Sequence, residues 1–223
     1  MVDSIILTVM EVIGTVSFSV SGSLIAISSG LDLFGVVFVG CITAVGGGII
    51  RDILLGNNPP LIFLNIEILC VSIITSLIVF LIAYFNTKKF TEFQEKIESI
   101  NNLFDALGLS AFSIMGTEFV CMSVGYKNVF FAVAMGMITG VGGGIIRDIL
   151  VDKTPYVLKK HIYALASIFG SSVYYFIRTY SNYQMFGTFA SMAIIVLIRV
   201  LATKYLWQLP KIKMNISEVN EKW

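Results

Sequence analysis

The sequence predicts an all-α integral membrane protein with seven transmembrane helices, arranged as an inverted 3+3 repeat plus a seventh helix. The chain is 57% hydrophobic and only 13% charged, with a mean hydropathy of +0.88. Apolar runs of 18 or more residues recur along most of its length, and such runs can cross a bilayer as helices. The sequence GGGIIRDIL occurs at 46–54 and again, unchanged, at 142–150. These observations exclude a soluble domain and predict two related halves.

Seven apolar segments are long enough to span the membrane. They cover about 4–27, 33–55, 62–85, 103–122, 129–151, 156–177 and 184–204. The first has no basic flank and is too long for a signal-peptide core, so we keep it as a span. The predicted organisation is a first three-helix repeat at 1–85, a cytoplasmic linker at 86–102, a second inverted repeat at 103–180, the seventh helix at 181–204 and a cytoplasmic tail at 205–223.

The basic residues predict the orientation of the chain. With the N-terminus outside, twelve of the 15 Lys and Arg residues fall on the cytoplasmic side. Cytoplasmic loops of membrane proteins carry such an excess of Lys and Arg. We therefore predict a multi-pass protein of the cytoplasmic membrane with its N-terminus outside and its C-terminus in the cytoplasm.

The repeat extends beyond the nine identical residues. Residues 9–14 parallel 103–108, and Gly40 parallels Gly136. Each unit holds three spans, an odd number, so the second unit enters the membrane upside down relative to the first. The second and fifth spans are then antiparallel, with their glycine triplets near mid-membrane. At 1.5 Å per residue, Arg51 and Arg147 lie about 6 Å beyond their triplets, towards opposite faces.

The repeated motif is unfavourable inside an apolar helix. A glycine costs about 1 kcal/mol relative to alanine, and an ionisable group at mid-membrane costs roughly 2.5–3.5 kcal/mol. Because the chain carries both twice, we interpret them as pore or gating residues, with helices broken at the triplets so that backbone carbonyls can face a cation. These residues are Gly46, Gly47, Gly48, Arg51, Asp52, Gly142, Gly143, Gly144, Arg147 and Asp148.

A structural interpretation of the same residues stays open. Small residues let membrane helices pack closely, and the two arginines could be clamps that satisfy loop carbonyls. Arg51 and Asp52 are neighbours and are not expected to pair on a regular helix, so each is expected to meet a partner on another helix. The carboxylates of Glu11, Asp105 and Glu118 are either functional groups in the membrane or solvated groups near its surface.

Hydroxyl side chains recur along the spans that carry or flank the triplets. The candidate pore-lining residues are Ser17, Ser21, Thr43, Ser113, Thr117 and Thr139. Such hydroxyls also bond back to their own helix or join neighbouring helices. The sequence shows no nucleophile–base pair, no metal-ligand spacing and no phosphate-binding loop, so we expect neither an enzyme nor a metal site nor a nucleic-acid partner.

A doubled GGGxxRD in a seven-span chain resembles the prokaryotic branch of the TRIC family, the trimeric intracellular cation channels. That branch is related to bacterial membrane proteins described as glycine transporters. The resemblance covers about 4–204. It is carried by Gly14-Thr15, Ser21-Gly22, Asp32-Leu33-Phe34-Gly35, the TAVGGG sequence at 43–48, Arg51-Asp52, Leu55-Gly56 with Pro59-Pro60, and Gly142–Gly144 with Arg147-Asp148.

The resemblance implies a homotrimer in membrane lipid with one pore in each protomer. The first, second, fourth and fifth spans would line the pore, the triplets would kink at its middle, and K⁺ would be the permeant ion, with no other cofactor. Animal members carry a lysine just before a glycine motif. Val45 and Val141 stand there in this chain, so we expect no lysine-dependent control by lipid or voltage.

Two functions remain open, and the resemblance favours the first. A passive K⁺ channel would solvate the ion with carbonyls, hydroxyls and carboxylates, and Arg51 and Arg147 would shape its mouths. Bare positive charge hinders such a pore unless each arginine is paired with a carboxylate. A secondary transporter of a small zwitterion such as glycine would use an arginine to bind the substrate carboxylate and would rock between two accesses. A non-transporting membrane scaffold is a third, weaker alternative.

Overall fold

A computed structural model describes residues 2–124, 128–159, 162–181, 183–207 and 210 of the chain. These residues are mainly helical and include no strand. Their helices are α1 (Val2–Ser28), α2 (Leu33–Leu54), a 3-10 helix (Leu61–Phe63), α3 (Ile66–Phe85), α4 (Thr87–Glu92), α5 (Gln94–Val124), α6 (Val129–Leu150), α7 (Tyr156–Lys159), α8 (Ile162–Tyr180) and α9 (Gln184–Lys204). Most of the tail predicted at 205–223 lies outside the described residues.

Local sequence signals fix the ends of the two glycine-rich helices. The Asp32 carboxylate caps α2 by accepting a hydrogen bond from the Gly35 backbone N–H at 2.8 Å. Asn128 caps α6 in the same way, since its side-chain oxygen accepts from the Phe131 N–H at 3.0 Å. A cap of this kind contributes about 1 kcal/mol. After α2, Gly56 adopts a φ of 78°, a conformation that glycine takes at little cost, and the helix ends.

Seven of the described helices form the membrane bundle. Six of them, α1, α2, α3, α5, α6 and α9, are long and apolar enough to cross a membrane. The seventh, α8, has 19 residues and is less apolar because Ser167, Gly170 and Ser171 lie on its buried face. Its other face exposes Leu165 and Phe169, and it packs against α5, α6 and α9. The predicted all-α membrane fold is confirmed.

The bundle is built around α5. In the most apolar window of α5, 78% of the residues are buried, against 22% in α3. The four helices α1, α2, α5 and α6 pack on one another, α3 flanks α1 and α2, and α8 flanks α5 and α6. Helices α3 and α8 therefore occupy equivalent places in the two repeats, whereas α9, which packs on α5 and α8, lies outside them.

The crossing of α2 and α6 shows that the repeats are inverted. Gly47 of α2 faces Thr139 of α6, and Thr43 of α2 faces Gly143 of α6. The residue numbers therefore increase in opposite directions along the two helices at their contact. This antiparallel contact between equivalent helices confirms the predicted inverted arrangement.

Two boundaries differ from the prediction. The third span begins at Ile66 rather than at 62, because residues 61–63 form the separate 3-10 helix. The fourth begins at Gln94, inside the stretch predicted as the linker 86–102, and α4 occupies most of the remainder of that stretch. The Gln, Glu and Lys residues that open α5 are good helix formers but are polar. Hydropathy detects the apolar part of such a helix and not its continuation.

Candidate functional site

Four glycines of the two triplets form the contact between α2 and α6. A Cβ added at Gly47 would collide with the carbonyl oxygen of Thr139, and one at Gly143 would collide with that of Thr43. A Cβ at Gly142 would lie 3.1 Å from the Gly47 Cα. Absent side chains therefore let the two backbones touch, which is the packing interpretation of these positions.

The expected break in the glycine-rich helices is not present in this structure. Both α2 and α6 continue as helix through residues 46–48 and 142–144. The prediction of broken helices was wrong because it favoured flexibility over the close packing that the same glycines allow. The close contact across the crossing offsets their weak helix propensity and holds both helices in regular form.

The third glycine of each triplet differs from the first two. Gly48 has free space beside it, and the nearest atom to an added Cβ would be Arg51 Nη2 at 3.9 Å. Gly144 is more enclosed, with the Tyr163 hydroxyl 3.2 Å and Arg147 Nη2 3.7 Å from that position. The third glycines therefore lie on the side of each helix that carries the arginine, outside the helix contact.

Each arginine pairs with the aspartate that follows it. Arg51 Nε donates to Asp52 Oδ1 at 2.8 Å, and Arg147 Nε donates to Asp148 Oδ1 at 2.8 Å. The expectation that neighbours cannot pair on a regular helix is therefore wrong. The long arginine side chain bends around the last turn of its helix and reaches the shorter carboxylate beside it.

The second oxygen of each aspartate is bound to the loop that follows its helix. Asp52 Oδ2 accepts from the Leu61 N–H at 2.9 Å, and Asp148 Oδ2 accepts from the Tyr156 N–H at 2.7 Å. These bonds fix the chain just beyond Pro60 and Pro155, at equivalent points of the two repeats. The Asp carboxylates therefore join the arginines to the loops, with a bond at both oxygens of each carboxylate.

At one end of the crossing lies the Arg147 cluster, which we define as Ser21, Asp105, Arg147, Asp148 and Arg199. Arg147 Nη1 donates to Asp105 Oδ1 at 2.8 Å and to Ser21 Oγ at 2.7 Å. Arg199 Nη2 lies 3.4 Å from the other Asp105 oxygen. The cluster holds two guanidinium groups and two carboxylates, and all five residues are buried.

At the opposite end lies the Arg51 cluster, which we define as Glu11, Arg51, Asp52 and Phe119. The Arg51 guanidinium lies over the Phe119 ring, 3.8 Å from its centroid. Glu11, the counterpart of Asp105, is half-buried and interacts electrostatically with Arg51 and Asp52. As expected, both arginines contact other helices of the bundle. Arg147 does so through hydrogen bonds, and Arg51 through an aromatic face.

A cavity reaches the Arg147 cluster from the same end of the bundle. Its volume is about 680 Å³, and it lies between α1, α3, the start of α5 and the loop after α6. Leu24 and Phe80 contribute to its apolar wall, whereas Asn101, Asp148 and Tyr156 are polar lining residues. Asn101 also accepts a hydrogen bond from Ser21 at 2.8 Å. The cavity is therefore continuous with the polar residues that surround Arg147.

The candidate pore-lining hydroxyls are all buried, and most are engaged in packing. Thr43, Thr117 and Thr139 each donate to the carbonyl four residues earlier in their own helix, and Ser113 lies 2.6 Å from the Ser167 hydroxyl. Ser17 is buried in α1. Among the six, Ser21 is the one that the structure brings into contact with Arg147.

Comparisons with known proteins identify the family of the chain. A family model described as "Glycine transporter" matches residues 8–84 and 102–179. The UPF0126 inner membrane protein YadS of Escherichia coli K12 is 33% identical over 210 residues, which cover 92% of this chain and 96% of the relative. The crystal structure of a prokaryotic TRIC channel in 0.5 M KCl is 38% identical, with a TM-score of 0.81 over 92% of this chain and 100% of the other. The chain belongs to the TRIC family. A TRIC orthologue from Rhodobacter sphaeroides is 26% identical, with a TM-score of 0.80 over 90% and 98% of the two chains.

The sequence left the role of Asp105 open, and it did not indicate that Arg199 and Tyr163 lie at the Arg147 end of this TRIC family member. Asp105 was expected to be either functional or solvated near the surface, and it is 2% exposed and bound to Arg147. In the sequence, Arg199 is one of the twelve basic residues assigned to the cytoplasmic side, and Tyr163 belongs to no motif. The parallel between residues 9–14 and 103–108 pairs Glu11 with Asp105, and this is the one sequence signal that could have linked Asp105 to an arginine.

Proposed function

We propose that this TRIC family member is a cation channel that conducts K⁺ through a pore in each protomer of a homotrimer. The observation that carries the proposal is the likeness over 92% of the chain to a prokaryotic TRIC channel, at a TM-score of 0.81. The related structure from Rhodobacter sphaeroides is described as trimeric. We propose the same assembly here, with α1, α2, α5 and α6 lining each pore.

The charge balance at the two ends is compatible with cation flux. Arg51 is paired with Asp52, and Arg147 is paired with both Asp105 and Asp148. Paired arginines present little net positive charge to a passing cation, so the main physical objection to a K⁺ pore is removed. The route that we propose passes Gly48 and Gly144, since the other glycines are closed by the helix contact.

The carrier alternative rests on the description of the family model as a glycine transporter. A glycine carboxylate would need a free guanidinium edge, as carboxylates bind arginine best through two parallel hydrogen bonds. Arg147 already donates to Asp105, Asp148 and Ser21. A substrate at Arg147 would have to displace these partners, so the geometry of the Arg147 end favours the channel.

Recording from purified protein in planar bilayers tests the proposal. We expect unitary currents that reverse near the K⁺ equilibrium potential when K⁺, Na⁺ and Cl⁻ gradients are imposed in turn. Saturable uptake of labelled glycine by proteoliposomes, without unitary currents, would instead support the carrier. Crosslinking in native membranes measures the assembly separately, with a trimer as the expected product.

A further inference from the structure

Helix α9 contributes Arg199 to the Arg147 cluster. This residue is 2% exposed and lies among groups from three other elements. Its Nη2 lies 3.4 Å from Asp105 Oδ2 on α5, and its guanidinium carbon lies 4.4 Å from the centre of the Tyr163 ring on α8 and 5.9 Å from that of Tyr156 on α7. Since α9 lies outside the repeat, Arg199 has no counterpart at an equivalent position of the first repeat.

Asp105 connects Arg199 to Arg147. One carboxylate oxygen accepts from Arg147 at 2.8 Å, and the other faces Arg199 at 3.4 Å. The contact to Arg199 is longer than the 2.7–2.9 Å typical of charge-assisted hydrogen bonds, so it is the weakest ionic link of the cluster. Arg199 Nε has no hydrogen-bond partner among the described residues. A buried guanidinium with an unused donor is costly, and entry of water would satisfy it.

We propose that Arg199 is a positioning residue. Its contact with Asp105, which we call the latch, holds α9 against α5 and keeps the Arg147 end closed. Arg199 holds Asp105, Asp105 holds Arg147, and Arg147 lies beside Gly144 on the proposed ion route. Movement of α9 away from α5 breaks the long Arg199–Asp105 contact first and frees Asp105 to attract a cation. This inference rests on the proposed function for its electrical consequence, but the latch itself can be measured without ion flux.

Cysteine labelling measures the latch directly. Ser21 touches Arg147, so a Ser21→Cys variant reports whether water and a small cation reach this point. In proteoliposomes, a cationic methanethiosulfonate reagent should modify the Ser21→Cys, Arg199→Gln double variant roughly tenfold faster than the Ser21→Cys variant. This factor lies within the 5–150-fold range that is typical of coupling between two sites of a protein. Mass spectrometry of the labelled peptide separates this site from the native cysteines.

The chain offers a matched control for the lost charge. Arg178 lies 3.4 Å from Glu118, the same distance as the Arg199 contact, but away from the Arg147 cluster. Arg178→Gln should leave the labelling rate of the Ser21→Cys protein unchanged, and Arg199→Lys should restore most of the slow rate. Equal rates in the Arg199→Gln and Arg178→Gln backgrounds, with both variants trimeric by crosslinking, would overturn the latch.

Bilayer recording then separates the latch from the proposed function. In a conducting protein, Arg199→Gln should raise the open probability and the K⁺/Cl⁻ permeability ratio, because the cluster loses one positive charge. In an Asp105→Asn background the same change should have no effect, since Arg199 acts through that carboxylate. Faster labelling in a protein without unitary currents would leave the latch standing and refute the channel. An unchanged open probability in a conducting Arg199→Gln variant, together with an unchanged labelling rate, would refute the latch.

Discussion

Substitution of single glycines at the helix crossing tests whether the triplets serve packing. Gly47 and Gly48 are neighbours in the same helix, so replacing either by alanine gains up to about 1 kcal/mol of helix propensity. A Cβ at Gly47 collides with the Thr139 carbonyl, whereas a Cβ at Gly48 finds its nearest atom 3.9 Å away. The obstacle at Gly47 is backbone and cannot rotate aside, so α2 and α6 must separate.

The expected cost follows from overpacking. Extra carbon in a filled interior costs typically 1–3 kcal/mol, and a backbone obstacle places Gly47→Ala near the upper end, at about 2 kcal/mol net. For a chain of this size, this lowers the unfolding temperature by roughly 4–8 °C. Gly48→Ala should match the parent or exceed it slightly. The measurement is thermal unfolding of both variants in the same detergent.

The same experiment can be repeated in the other repeat. Gly143→Ala should reproduce the effect of Gly47→Ala, because its Cβ would collide with the Thr43 carbonyl. If Gly47→Ala and Gly143→Ala unfold at the same temperature as Gly48→Ala, the helices do not touch as described, and the packing interpretation is refuted. The triplets would then be interpreted as flexible points in α2 and α6.

Three further predictions concern the charges and the topology. Arg147→Gln leaves two buried carboxylates without their main partner and should lower the free energy of unfolding by about 3–5 kcal/mol, measured by thermal unfolding. Arg51→Gln should cost clearly less, because Arg51 has one bonded carboxylate and an aromatic face. Equal losses would contradict the described difference between the ends. Asp32→Ala removes the α2 cap and should cost about 1 kcal/mol in the same assay while leaving ion flux unchanged, and a loss of flux would assign Asp32 to the pore. In intact cells, an impermeant thiol reagent should label a cysteine placed at Asn57 and not one at Lys88, and the reverse pattern would refute the predicted N-out orientation.

The helical fold was predictable because its signals are local and repeated. Apolar runs mark the spans, the copies of GGGIIRDIL reveal the repeat, and the odd number of spans in each unit makes the repeat inverted. The start of α5 at Gln94 was not predictable from hydropathy, since a helix that continues into water loses its apolar signal but keeps its backbone hydrogen bonds. The distinction between packing glycines and open glycines also required the structure, because Gly47 and Gly48 look alike in the sequence.

The site was predictable at its centre and not in its partners. Arg147 and Asp148 stand out as charges in an apolar segment, which is a functional signal by itself. Asp105 and Arg199 are 94 residues apart, and neither belongs to the repeated motif. Their meeting depends on how α9 packs against α5, and no spacing rule connects two helices that are so far apart in the chain. Sequence reasoning could place the arginines but could not assign their charge balance.

The two ends differ although the motif is identical, and the difference has a structural cause. In an inverted repeat, each arginine meets residues at equivalent positions, but these positions hold different side chains. Glu11 occupies in the first repeat the position that Asp105 occupies in the second. The Arg51 guanidinium packs on the Phe119 ring, whereas Arg147 donates a hydrogen bond to Ser21. The addition of α9 increases the difference, since it supplies a second guanidinium to one end only. The Arg147 end therefore has the larger and more deeply buried network, and this is the end at which we propose the Arg199 latch.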